Sequence, residues 1–321
     1  MSENPNETTQ DEASSTAENA EPKPATNAPE KPAKRKRKPI WFRVLRGVAL
    51  FYLIALVLKP FHPADLLFFF PERDTELSAP ASGPKATEFW ATTPDGEKLN
   101  MWFLETIEGE SRTAPTVVHF HGNAYNMSRH VDLVDWLCFH GYNVLLFDYR
   151  GYGKSSGSPT RAGLQTDGLT VLDWARSQDF IASDKLIVLG QSLGGAISMD
   201  TLGTDSQEGV LGLALDATFD DYRYLGNLKC GGTFISEPVT WALISKGHDP
   251  RDSFPKLRSF PVLVIHGDAD QLVPYELGPK IAAGIGENAR FVSISGADHV
   301  MALARSDGRQ ALLEWLDEVK S

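Results

Sequence analysis

The 321-residue sequence predicts an α/β fold: a mostly parallel central sheet flanked by helices, with a small insertion in place of a large lid. Three observations predict it. From about residue 65 onward, short β-branched runs alternate with stretches of helical periodicity, the arrangement that parallel strands joined by crossover helices require. One run, Lys185–Leu189, passes through a glycine-flanked serine straight into a helical pattern that begins with small residues. Charged residues at 23% and hydrophobic ones at 42% lie in the ordinary globular range.

Residues 1–39 are rich in Glu, Asn, Ala, Pro, Thr and Ser and nearly free of large apolar groups. They cannot bury enough surface to offset the entropy of ordering, so a disordered tail is expected. It closes on the basic run Lys34 to Lys38. Residues 40–60 then read as a transmembrane or membrane-anchoring helix. The uninterrupted apolar part, Gly47 to Leu58, is shorter than the ~20 residues of a full span. The length suffices once Arg43 and Arg46 snorkel to the headgroups. By the positive-inside rule the N-terminus stays cytoplasmic and the domain from 65 to 321 lies on the opposite side of a single span. A cleaved signal peptide, a helix lying on the bilayer surface and a helix buried in the domain compete with this reading. The long tail counts against the first and the basic run against the last.

Within the domain, Thr87 to Thr93 and Lys98 to Leu104 form an entry hairpin around Pro94-Asp95-Gly96. Further strands are expected at Thr116 to Phe120, Asn143 to Asp148, Lys185 to Leu189, Val210 to Asp216, Val262 to His266 and Arg290 to Ile294. Helices are expected at Asn126 to His140, Leu164 to Ser177, Leu193 to Leu202, Tyr275 to Ile285 and Val300 to Val319. The chain after Arg46 holds 22 basic against 35 acidic residues. That balance argues against a nucleic-acid partner, which needs basic surface to displace counterions. Cys138 and Cys230 are too few for a disulfide framework and read as two buried free thiols.

The serine segment is Gly190-Gln191-Ser192-Leu193-Gly194. A nucleophile at the tip of a strained strand-to-helix turn needs neighbours two residues away that carry no side chain. Ser192 is therefore the candidate nucleophile. Later strands end in His266-Gly267-Asp268-Ala269-Asp270 and lead into Gly296-Ala297-Asp298-His299. The ends of parallel strands converge on one edge of a sheet. His299 is the candidate base, and Asp270 the acid that holds its tautomer. Asp268 and Asp216 are rivals for the acid, and Asp298 reads as a loop hydrogen-bonder or a solvated charge. Oxyanion donors are expected from the backbone of Leu193 and of Asn123, with Ala124 as the alternative to Asn123. The His121 side chain reads as a structural turn residue.

These segments resemble the α/β-hydrolase superfamily, and more closely its membrane-anchored members, which include depalmitoylases and lysophospholipases. The resemblance rests on Leu67-Phe-Phe-Phe-Pro71, His121-Gly-Asn-Ala, Asp148-Tyr-Arg-Gly-Tyr-Gly-Lys-Ser155, Gly190-Gln-Ser-Leu-Gly-Gly195, His266-Gly-Asp-Ala-Asp270 and Gly296-Ala-Asp-His299. It implies acyl transfer to water through an acyl-enzyme on Ser192, without a cofactor. The implied partner is an acyl-bearing small molecule, lipid or acylated protein, met at the membrane that the N-terminal helix enters. A peptidase or amidase on the same scaffold, and a membrane-tethered binding protein with an idle site, are the alternatives. The segment between Asp216 and Pro261 departs from any familiar lid.

Four other signals remain. Gly153-Lys154-Ser155 is no phosphate loop, because Asp148 stands where a glycine is needed. His119 and His121 share a strand face but have no third metal ligand nearby in sequence. Leu66 to Phe70 reads either as a membrane-contacting patch or as a buried segment. Phe219, Tyr222, Tyr224, Phe234, Trp241, Leu243 and Ile244 line either an acyl pocket or the insertion's own core.

Overall fold

Eight strands form one sheet: β1 (Ala86–Thr92), β2 (Lys98–Leu104), β3 (Thr116–Phe120), β4 (Asn143–Phe147), β5 (Leu186–Gln191), β6 (Val210–Asp216), β7 (Val262–Gly267) and β8 (Ala289–Ile294). Their spatial order is β8-β7-β6-β5-β3-β4-β2-β1. All pair in parallel except β1 with β2 and β2 with β4. The computed structural model describes residues 39–58, 68–74, 79, 83–233, 236–244 and 247–320. The expected tail up to residue 38, and Leu66, Leu67 and Phe234, lie outside the described residues. The chain divides into two units, residues 1–47 and 48–321.

The strands are apolar on both faces because helices cover both. On β3, Val118 and Phe120 join one core with Leu145 and Phe147 of β4. That core also takes residues from α2 (Arg161–Ser177), α3 (Leu193–Thr204) and α7 (Leu277–Ile285). Val117, Val144 and Leu146 point the other way, as the period of two requires, and pack with Leu312, Trp315 and Leu316 of α8 (Ser306–Val319). Thr160 caps α2 by accepting from the Gly163 N–H.

One expected helix is corrected. Asn126 to His140 forms three short 3₁₀ turns, Met127–Arg129, Val131–Leu133 and Asp135–His140. The N–H groups of Arg129, His130, Leu133, Val134 and Leu137 each donate to the carbonyl three residues back, although the buried positions Met127, Val131, Val134 and Cys138 keep the spacing of an α-helix. The N–H of Met127, which as the first of the stretch has no acceptor within it, donates to the Asp148 carboxylate at 2.7 Å. The insertion after β6 is indeed small: α4 (Tyr222–Lys229), α5 (Ser236–Leu243), one 3₁₀ turn and the single-turn α6 (Phe254–Leu257).

Near the N-terminus, α1 (Ile40–Leu58) has 19 residues. At 1.5 Å per residue it is about 28 Å long, and Ile40–Val57 is long and apolar enough to cross a membrane. Of the Leu66 to Phe70 run, Phe68 and Phe69 are buried and Phe70 is exposed, so the described part answers to both readings. Cys138 is buried, and burial pushes its thiol up to about 12. Cys230 is exposed, against expectation, because it caps the C-terminal end of α4 rather than facing a core.

Candidate active site

The site begins at the turn between β5 and α3. Ser192 has φ 53 and ψ −117, a left-handed conformation that side-chain-bearing residues rarely hold. Its N–H donates to the Asp216 carbonyl at 2.9 Å, and its own carbonyl accepts from Thr218 Oγ1 at 2.7 Å. Two glycines let the turn close this tightly. A Cβ on Gly194 would lie 2.0 Å from the Phe120 carbonyl oxygen, and one on Gly190 would lie 2.6 Å from Gly195 Cα. Backbone cannot yield as a side-chain tip can. Gly194→Ala is therefore expected to cost about 3 kcal/mol or more, read as a fall in the urea midpoint with unchanged slope. A midpoint equal to wild type would show that α3 does not press on β3 as described.

His299 lies in the loop after β8, and its Nε2 is 2.8 Å from Ser192 Oγ. Its Nδ1 is 2.8 Å from Asp270 Oδ2. A carboxylate only accepts, so Nδ1 carries the proton and Nε2 is free to accept from the serine hydroxyl. Ser192 is 8% exposed and the His299 side chain 16%, so the pair is sheltered yet reachable.

Asp270, in the loop after β7, has its carboxylate wholly shielded from solvent. Oδ1 accepts from the N–H groups of Leu272 and Val273 at 2.8 and 2.9 Å. Oδ2 accepts from His299 and faces His266 Nε2 at 3.2 Å. Four donors thus meet the roughly four lone-pair sites of a carboxylate. Burial alone would raise its pKa, but the hydrogen bonds from His266, His299 and Val273 prevail and hold it well below the usual carboxylate range.

The rival acids go elsewhere. Asp268 Oδ1 accepts from the Gly296 N–H at 2.6 Å, and Asp298 Oδ1 accepts from the N–H groups of His299 and Gln271. Both tie the β7 and β8 loops together. Asp216 is fully buried. Its Oδ2 accepts from Gln191 Nε2 at 2.9 Å, while among the described residues Oδ1 has no partner. Burial therefore pushes it up to about 6. Gln191 Oε1 in turn meets His119 Nε2 at 2.9 Å. His119 is held neutral down to about 3, first by burial and then by His130 nearby.

The loop after β3 lies beside the serine, for a Cβ on Gly122 would stand 3.8 Å from Ser192 Cβ. Asn123 is pinned from two sides. Its Oδ1 accepts from the Phe70 N–H at 3.1 Å, and its carbonyl accepts from the Tyr152 hydroxyl at 3.0 Å. Among the described residues nothing accepts from the backbone N–H of Asn123 or of Leu193. Both N–H groups are thus uncommitted among the described residues. The His121 Nδ1–H donates to the Gly122 carbonyl at 2.7 Å, a turn-shaping role.

One member was missed in the sequence. His266 is fully buried, its Nε2–H shared between Asp270 and the Val273 carbonyl at 3.1 Å. The signal was available in the spacing of His266 and Asp270 at a strand end, but the histidine read as the last residue of β7. In the insertion, Phe219, Tyr222 and Ile244 are buried, whereas Tyr224 and Trp241 are exposed. A 230 Å³ apolar cavity lies against Phe68, Gly226, Leu243 and Ile244. Of the described members of the set, only Leu243 and Ile244 line it.

The family model for serine aminopeptidase, S33, matches residues 111–253. That range holds Asn123 and Ser192 and ends before Asp270. The chain is 30% identical over 271 residues to the uncharacterized protein YfhR of Escherichia coli (strain K12), covering 84% of this chain and 92% of that protein. It is 27% identical to the lysophosphatidylserine lipase ABHD12 of Rattus norvegicus, covering 82% and 75% of the two chains. Among solved structures, the Pyrococcus furiosus esterase Pf2001 matches with a TM-score of 0.59 at 19% identity, covering 78% of this chain and 97% of that one. This last likeness is one of fold.

Proposed function

The chain belongs to the α/β-hydrolase superfamily, and from that premise we propose that it is a serine hydrolase cleaving acyl esters or thioesters through an acyl-enzyme on Ser192. The observation that carries the reading is the unbroken line from Ser192 Oγ to His299 to Asp270, with 2.8 Å at each step. In this reading His299 Nε2 takes the hydroxyl proton as Oγ attacks the acyl carbonyl. The oxygen that becomes negative is met by the N–H groups of Leu193 and Asn123. His299 returns the proton to the leaving alcohol or thiol. Water then enters by the same path in reverse and frees the acid and Ser192. Asp270, already ionised, steadies the imidazolium.

The domain reading is an anchored enzyme: a tail through residue 39, a membrane helix over 40–60 and a catalytic domain over 65–321. The N-terminus is cytoplasmic and the domain lies across the membrane. The basic cluster before α1 supports that orientation. The ester preference draws on the lysophosphatidylserine lipase among the relatives. A second reading, amide hydrolysis, draws on the description of the matching family model.

The full chain in detergent micelles, offered matched acyl esters, acyl thioesters and aminoacyl amides, decides between them. Esters or thioesters are expected to exceed amides in kcat/KM by about 100-fold or more. Parity or an amide preference would overturn the ester reading. A fluorophosphonate that leaves the wild type unlabelled would overturn the serine-hydrolase reading itself.

A further inference from the structure

Outside α1, nine large hydrophobic side chains among the described residues are exposed. Singly, such residues need no explanation. Their placement does. Phe70 at 58% and Tyr125 at 54% sit on a short parallel pair, Phe70–Pro71 against Ala124–Tyr125, that continues the Asn123 loop. Leu272 at 51% is two residues past Asp270, and Met301 at 46% is two residues past His299. These loops leave the C-terminal ends of β3, β7 and β8, so the four side chains share one edge of the sheet with Ser192. Tyr224 and Trp241 rise on α4 and α5 from the same edge, after β6. Two of the four are presented by strained backbone. Tyr125 has φ 70, and Val300, which precedes Met301, has φ 52. Left-handed geometry is rare for an aromatic residue and rarer for a β-branched one.

The path of the chain names what this rim meets. α1 ends at Leu58, and Phe70 is twelve residues further on. That length of chain reaches at most about 40 Å. The far end is fastened to the site, since the Phe70 N–H donates to Asn123 Oδ1 and the Glu72 N–H to the Tyr125 carbonyl, both at 3.1 Å. A membrane-borne α1 therefore tethers the domain by the rim of its own site. Charge sets the kind of surface. The chain after Arg46 carries 22 basic and 35 acidic residues, which disfavours attraction to anionic lipid. Apolar side chains suit the headgroup boundary of a neutral bilayer.

We propose that Phe70, Tyr125, Leu272 and Met301 form a docking face for a neutral phospholipid surface, which brings the mouth of the site against lipid still resident in the bilayer. The proposal rests on the membrane reading of α1. Docking spares the substrate the passage through water and confines enzyme and substrate to one surface, which raises their effective concentration.

The test uses the full chain reconstituted in phosphatidylcholine vesicles, with Cys230→Ser leaving the buried Cys138 as the sole native thiol. An environment-sensitive fluorophore is placed at Leu272→Cys or, as a control, at Ile107→Cys. Ile107 is 56% exposed. It follows β2, whose end pairs with the start of β4, so it lies at the opposite edge of the sheet. Spin-labelled lipid is expected to quench the Leu272 label about threefold or more beyond the Ile107 label, with a blue-shifted emission for the former alone. Equal quenching at both positions in a chain that floats with the vesicles would overturn the docking face and leave the anchor standing. A chain that does not float would overturn the anchor and the docking face with it.

Discussion

Ser192→Ala is expected to lower the turnover of an acyl ester by about 10⁴- to 10⁶-fold. Its melting temperature should stay close to that of the wild type. The reason for the first lies in the chemistry. Without Oγ there is no acyl-enzyme, and the two N–H donors at Leu193 and Asn123 act only on whatever attack water makes unaided. The reason for the second lies in the turn. Alanine keeps a Cβ and so keeps the strain of φ 53, and the lost hydroxyl made one half-sheltered hydrogen bond to His299. Steady-state kcat and the rate of fluorophosphonate labelling both read the result. A residual rate within tenfold of wild type would mean that another residue carries the attack.

The second large effect separates two buried carboxylates. Asp270→Asn is expected to cost about 10³- to 10⁴-fold in kcat near neutrality, because an amide facing Nδ1 allows the wrong imidazole tautomer. Asp216→Asn is expected to stay within about tenfold, since Asn keeps an oxygen for Gln191 Nε2. Stability moves the opposite way, and its pH dependence carries the sign. Asp216 is pushed up to about 6 from an ordinary 3.8. Folding is then favoured by this group below about 4, and that advantage is lost as pH rises through 6. Removing it should stabilise the fold by on the order of 2 kcal/mol at pH 8, with the gain closing toward pH 4. Asp270 is depressed instead, so its contribution is present above the ordinary carboxylate range and lost as the solution is acidified. Asp270→Asn should therefore destabilise at pH 7 and progressively less below pH 4. Denaturant midpoints at pH 8, at pH 4 and well below pH 4 for both variants check this. Matching pH trends in the two would mean that the carboxylates do not differ as their hydrogen bonds indicate.

What could be read in advance was what regular geometry dictates. β3 and β6 occupy the expected Thr116–Phe120 and Val210–Asp216, because apolar runs this short are strand-length rather than helix-length. Ser192, Asp270 and His299 come together because each follows a strand whose end lies on the shared edge. Other parts were not legible. The turns over Asn126 to His140 carry the burial spacing of an α-helix, so nothing in the pattern marks them as 3₁₀. His266 acquires its role from a loop that folds back four residues later. The pairing of Phe70–Pro71 with Ala124–Tyr125 involves two residues a side, too few to leave a periodic trace.

The α4 and α5 helices are joined to one another and, through Tyr222 and Leu225 of α4, to the main core. Arg223 Nε donates to the Ile244 carbonyl at 2.8 Å, and Gly226 lies where Ile244, Phe68 and Thr240 close over it. Neither helix supplies a member of the Ser192–His299–Asp270 line. The reacting line thus stands apart from the α4–α5 pair. Divergence can rewrite the α4–α5 cassette while the Ser192–His299–Asp270 line on the sheet is inherited intact.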